Sequence, residues 1–295
     1  MESELRVSAQ PKLTRPVLVA AFRGWNDGAQ AASLAAGYLA RLWDAEQIAE
    51  VDPEGFFDFQ ATRPHVSLVD GITRRIDWPE TAFYHGKPAG LDRDVVLLLG
   101  IEPNVRWRTF TDLVVGHAQG LGVELVVTLG ALLADVPHTR PSPVTGSASD
   151  PALVQELGLS TSRYEGPTGI VGVLHDACNK AGISSASLWA AVPHYVSLTP
   201  SPRAAAALCN RLGGLMEIEI DTTELDRAAE TYEEQVSQAV ASDEETAAYV
   251  EELEQRADTM EEQVDLPSGD ALAAELTRYL REREGENGES GPRDQ

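Results

Sequence analysis

Seven side chains in this 295-residue sequence combine suitable chemistry with suitable placement: Asn26, Asp27, Glu102, Arg106, His138, Arg140 and His194. Most of them fall in four segments, 24–27, 100–104, 130–140 and 193–195, each of which begins where an apolar run ends. Arg106 and Arg140 carry the planar guanidinium that holds a carboxylate or phosphate. His138 and His194 can exchange protons near neutral pH. Asp27 and Glu102 can orient a hydroxyl or an amine, and a helix opening near Asn26 or Asp27 offers free amides to an anion. The set is suited to a small anionic or nucleoside-like ligand. Each residue also has a plainer role open to it. Asn26 and Asp27 are good helix caps, Arg63-Pro64 and Arg140-Pro141 can brace loops, and Trp25, Trp78, Trp107 and Trp189 can fill a core.

Other chemistries lack their residues. The six histidines (65, 85, 117, 138, 175 and 194) show no zinc-ligand spacing, and no Gly-x-Ser-x-Gly elbow occurs. Gly166, Gly169 and Gly172 recur around an expected helix, but no lysine follows in the position a phosphate loop requires, so they read as turn and packing glycines. The two cysteines, Cys178 and Cys209, lie in Ala-rich helical context and read as core residues of a reducing compartment. No cofactor and no metal are expected.

The elements that must position the seven residues follow from the apolar pattern. Residues 16–22, 94–100, 124–129 and 186–192 are predominantly apolar segments of strand length. The first two lead through a turn into an amphipathic helix. Such runs, alternating with helices, predict a mostly parallel sheet covered on both faces, and in such sheets ligands sit at the carboxyl ends of the strands. Asp70-Gly71 between two alternating stretches predicts a hairpin over 66–76.

Charge divides the chain. The formal charge is -24, which argues against phosphate-mediated nucleic-acid binding. Residues 221–295 hold 23 acidic and 6 basic side chains, so the rest of the chain is close to ordinary. Residues 1–13 are expected to be flexible, 14–220 to form an α/β domain, 221–284 an acidic helical extension, and 285–295 a disordered tail. Within the extension, 223–226 and 242–245 have the outline of capping boxes. Leu225, Ala229, Tyr232, Val236 and Val240 make one apolar stripe; Ala247, Val250, Leu253, Ala257, Met260 and Val264 make a second. A third helix is expected over 270–283. The polar N-terminus and the proline-broken uncharged run at 183–202 predict no signal peptide and no membrane span, hence a cytoplasmic protein.

Five blocks carry a family resemblance. They are 21–27 (Ala-Phe-Arg-Gly-Trp-Asn-Asp), 57–60 with Arg63-Pro64, 100–103 with Arg106-Trp107, 129–141 and 191–195 (Ala-Val-Pro-His-Tyr). In this order, across residues 16–220, they resemble the proteasome assembly chaperone 2 family in its actinobacterial form. The resemblance implies a three-layer α/β/α sandwich similar to purine nucleoside phosphorylases. It also implies a protein-binding or assembly-chaperone-like module, or its own oligomer, with an unassigned bacterial role. The alternative is an enzyme acting on a small anionic or nucleoside-like ligand. Assembly chaperones dock on proteasome rings through a C-terminal hydrophobic–tyrosine–any tripeptide. This sequence ends Gly291-Pro292-Arg293-Asp294-Gln295, so docking in that manner is not expected.

Overall fold

The computed structural model describes residues 4–148, 150–196 and 200–263. In chain order the strands are β1 (Leu5–Val7), β2 (Val17–Arg23), β3 (Glu46–Val51), β4 (His65–Val69), β5 (Thr73–Asp77), β6 (Ala82–Gly86), β7 (Val95–Ile101), β8 (Leu125–Ala134), β9 (Val144–Ala148), β10 (Ser160–Thr161) and β11 (Ser184–Pro193). The helices are α1 (Ala31–Leu42), α2 (Trp107–Gly120), α3 (Pro151–Glu156), α4 (Ile170–Ala181), α5 (Pro202–Met216), α6 (Thr223–Val240) and α7 (Glu244–Gln263). The main sheet runs β1-β3-β6-β7-β2-β8-β11-β9-β10, and its four central strands β7, β2, β8 and β11 are mutually parallel. These are the four strands expected from the apolar runs.

Strand alternation explains the layers. Val17, Val19 and Ala21 of β2 face one core with α1 and α5, while Leu18, Ala20 and Phe22 face another with α2 and α4. Alanines line the first core: Ala31, Ala32, Ala35 and Ala36 on α1 meet Ala204 and Ala205 on α5. Aromatics fill the second, where the Phe110 ring lies 6.0 Å from Phe22 and 5.4 Å from Phe56, edge to face. The result is an α/β/α arrangement around a large central sheet. Gly130 sits opposite Trp189 in the β8–β11 register, and a Cβ there would stand 2.6 Å from the indole. Trp189 therefore packs onto the sheet because its neighbour has no side chain. Trp25 and Trp78, by contrast, are exposed rather than core residues.

At the sheet edge, Leu5–Val7 pairs antiparallel with β3, and Arg6 forms an ion pair with Asp52. The 66–76 hairpin forms as β4 and β5, with Asp70 and Gly71 both at positive φ, as a type I′ turn requires. The capping residues of the extension shift. Helix α6 is preceded by Thr222, whose hydroxyl donates to Asp226 (2.9 Å), and Asp243 rather than Ser242 accepts from the Thr246 amide at the start of α7 (2.8 Å). The third helix expected over 270–283 and the tail from 285 lie outside the described residues.

One buried contact has a pH signature. His175 on α4 meets the Thr128 hydroxyl of β8 (2.9 Å), and burial pushes its pKa down to about 4. An unfolded histidine titrates near about 6.5. The unfolded chain therefore takes up the proton first, and stability falls as pH drops from about 6.5 towards 4. His117 and His138 are shifted in the same direction by burial. Imidazole NMR should show His175 neutral at pH 6 and titrating near about 4; a midpoint near about 6.5 would contradict this placement.

Candidate functional site

The seven residues fall into three places, not one. The first joins the ends of β2 and β7 to the start of α4. Glu102 follows β7, and its Oε1 accepts from the Ile170 amide (2.8 Å) and from Asn26 Nδ2 (3.4 Å). Its Oε2 accepts from the Trp25 amide (3.3 Å). A carboxylate at the N-terminus of α4 meets free amides and the positive end of the helix dipole. Asn26 is buried, and its backbone oxygen accepts from the Ala131 amide (2.9 Å), tying this turn to β8. Asp27 Oδ1 caps α1 by accepting from the Ala32 and Ser33 amides (2.9 and 3.1 Å). Burial pushes the Asp27 carboxyl up, against the pull of those hydrogen bonds.

The second place lies under the acidic extension and holds His138, Arg140 and His194. The Tyr195 hydroxyl accepts from the His138 backbone N–H (2.9 Å). The same hydroxyl hydrogen-bonds His138 Nδ1 (2.8 Å), and Nε2 hydrogen-bonds Ser237 Oγ on α6 (2.9 Å). Burial holds both partners neutral, pushing the His138 imidazole down and the Tyr195 phenol up to about 12. Arg140 grips α7 with two parallel bonds, Nε to Asp258 Oδ1 (2.6 Å) and Nη2 to Asp258 Oδ2 (2.9 Å). The Arg140 bond holds the Asp258 carboxyl below the usual range. Thr139 donates to Glu254, and Tyr249 donates to Asp135 (2.8 Å). His194 lies with its Nδ1 3.3 Å from that same Asp135 oxygen, and its ring packs edge-on to Tyr195 and Tyr249. Arg203 at the start of α5 pairs with Glu233 on α6.

Arg106 stands apart from both. It takes φ 58° ahead of α2, lies over the Phe56 ring and pairs with Glu4 (2.7 Å). Its guanidinium braces the N-terminal strand and does not reach the other two places.

Among the described residues Asp27 Oδ2 and His194 Nδ1 are buried without a hydrogen-bond partner, but most polar groups of the strand-end blocks are spent on the chain itself. The residues that receive them, Ser237, Tyr249, Glu254 and Asp258, carried no marker in the sequence beyond their place in an acidic helix. Thr139 and Tyr195 sat inside the quoted blocks, next to His138 and His194, and that adjacency was the available clue. Among the described residues no three His, Cys, Asp or Glu side chains are placed to hold a metal ion. Likewise no helix there is long and apolar enough to cross a membrane.

Fold and strand-end geometry define an α/β/α protein whose C-terminal strand edge carries a docked helical arm. The PAC2 family matches residues 21–240, and the chain belongs to that family. Two similar solved structures come from actinobacteria. A PAC2 family protein from Streptomyces avermitilis is 50% identical with a TM-score of 0.74, covering 80% of this chain and 99% of its own. A proteasome-assembly chaperone homologue from Mycobacterium tuberculosis is 49% identical with a TM-score of 0.72, covering 79% and 99%. An archaeal proteasome activator from Pyrococcus furiosus shares the fold at 18% identity, with a TM-score of 0.65 over 80% of this chain and 97% of its own. No curated protein matches the sequence.

The first place can be tested by filling it. A Cβ on Gly169 would lie 2.2 Å from Asn26 Nδ2 and 2.7 Å from Glu102 Oε1, in a backbone conformation any residue adopts. Gly169→Ala should therefore cost about 1–3 kcal/mol by overpacking alone. Urea unfolding of the variant, with an unchanged m-value, is the check; a neutral substitution would mean the Asn26–Glu102 contact is loose.

Proposed function

We propose that this chain is a protein-binding, assembly-chaperone-like module that works in the cytoplasm without catalysing a reaction. One observation carries the reading: His138 and Arg140, at the end of β8, are engaged in holding α6 and α7. Arg140 already has a carboxylate, that of Asp258. His138 is buried between Tyr195 and Ser237, with burial favouring its neutral form. A small anion would have to displace the arm to reach either. Family membership and the M. tuberculosis homologue point the same way.

The arm then acts as part of the binding surface. Residues 21–240 include α6, whereas α7, which carries Glu254 and Asp258, lies beyond the family match. The outward glutamates Glu251 and Glu252 give α7 an acidic face suited to an arginine-rich partner.

The test is to mix the purified full chain with separately expressed actinobacterial proteasome α and β subunits and follow them by native mass spectrometry. The expected result is a defined complex with unassembled subunits that weakens as salt rises. A chain that ignores both subunits overturns the reading. A saturable rise in Tm with nucleoside or phosphate would instead support the ligand-acting alternative.

A further inference from the structure

A cavity at the strand ends is used by none of the three places. Its volume is about 290 Å³, and it opens between the first turns of α1 and the ends of β2 and β7. The floor is apolar: Ala21 and Leu99 stand side by side in the β2–β7 register, and Leu34 of α1 forms a wall. Two charged side chains flank this floor. Arg23 lies two residues beyond Ala21, on the same face of β2, and is paired with Ile101 of β7. Strand β6 runs antiparallel to β7 with Ala82 opposite Leu99, so Glu80, two residues earlier, comes level with Ile101 on the far side. Arg23 and Glu80 therefore face each other across β7, two strand spacings or about 10 Å apart at the backbone. Both line the cavity.

Neither charge is spent on the chain. Among the described residues the Arg23 guanidinium makes no hydrogen bond or ion pair. Its charge acts on Asp27, but that carboxyl gives its Oδ1 to the amides of α1. Glu80 Oε1 accepts from the Tyr84 hydroxyl (3.1 Å), which leaves Oε2 open. Burial pushes the Tyr84 phenol up to about 12, so it keeps its proton at neutral pH and holds the Glu80 carboxylate at the rim. The cavity thus offers a cation at one end, an anion at the other and an apolar floor between them.

We propose that this cavity binds a free dipeptide, with its C-terminal carboxylate on Arg23, its N-terminal ammonium on Glu80 and an apolar side chain over Leu99 and Leu34. A guanidinium takes a carboxylate through two parallel hydrogen bonds. An extended dipeptide spans about 7 Å, and the inward reach of the Arg23 and Glu80 side chains closes the rest. A single amino acid carries both charges on one carbon and reaches only one rim. Phosphate would satisfy Arg23 but turn a second anion towards Glu80. The volume agrees, since it lies at the lower end of small-molecule sites, about 300 Å³. This site goes beyond the chaperone-like reading and does not depend on it.

NMR titration of the full chain with glycyl-L-leucine should show one saturable site with Kd of about 1 mM or tighter. Free leucine and inorganic phosphate should bind at least about tenfold more weakly. Arg23→Gln and Glu80→Gln should each weaken glycyl-leucine by about tenfold. Tm should not change in either variant, because both side chains are exposed. Blocked peptides then assign the two ends. N-acetylglycyl-leucine lacks the ammonium, so Glu80→Gln should not weaken it further. Glycyl-leucinamide lacks the carboxylate, so Arg23→Gln should not weaken it further. Absence of saturable binding, phosphate or leucine binding as tightly as the dipeptide, or equal losses with all three peptides overturns the proposal.

Discussion

Four parallel strands buried on both faces must all end at one edge, and the protein is built around what that edge does with its polar groups. A strand sealed between helix layers leaves its backbone satisfied by its neighbours. The turn that follows has no such neighbours and must find partners. Here β2 and β7 find theirs in the start of α4, through Glu102, and in the start of α1, through Asp27. The longer segments after β8 and β11 find theirs in α6 and α7. The same topology that places ligands at this edge in other α/β proteins here places the chain's own helices.

The arm has a thin apolar base. Among the described side chains of α7 the large buried ones are Val250 and Leu253, and α6 contributes Tyr232, Val236 and Val240 to a small cluster with Tyr195 and Val196. Full burial of such side chains contributes roughly 1.5–3 kcal/mol each, enough to dock a helix but little against the entropy of ordering it. The polar contacts then fix register: Asp135 with Tyr249, Thr139 with Glu254, and Arg140 with Asp258 flank the buried side chains of α7 on both sides. Those acids face the body, while Glu251 and Glu252 face solvent. The acidity of this segment thus serves two surfaces at once.

The central strands and helices were legible because continuous apolar runs such as Val95–Ile101 leave few alternatives. The edge strands were not. Glu46–Val51 and Val144–Ala148 mix small and polar residues, and their strand state comes from a neighbour's open edge. Leu5–Val7 is ordered by β3 and by the Arg6–Asp52 pair, neither of which is local. The site was legible as chemistry but not as geometry. His138 and Arg140 were visibly polar groups needing partners, yet those partners lie 99 and 118 residues further along the chain. Nothing local distinguishes an arginine awaiting a substrate carboxylate from one awaiting Asp258.

The central claim is that the chain's own arm holds the strand-end polar groups. Hydrogen exchange of the full chain and of Arg140→Glu, read peptide by peptide, tests it most directly. In the wild type, α7 and residues 135–140 should be protected together. In Arg140→Glu, with Asp258 and Glu254 now facing a like charge, both should lose protection in concert while β2, β7 and β8 stay unchanged. Rapid exchange of α7 in the wild type, or identical exchange in the two proteins, would contradict the account.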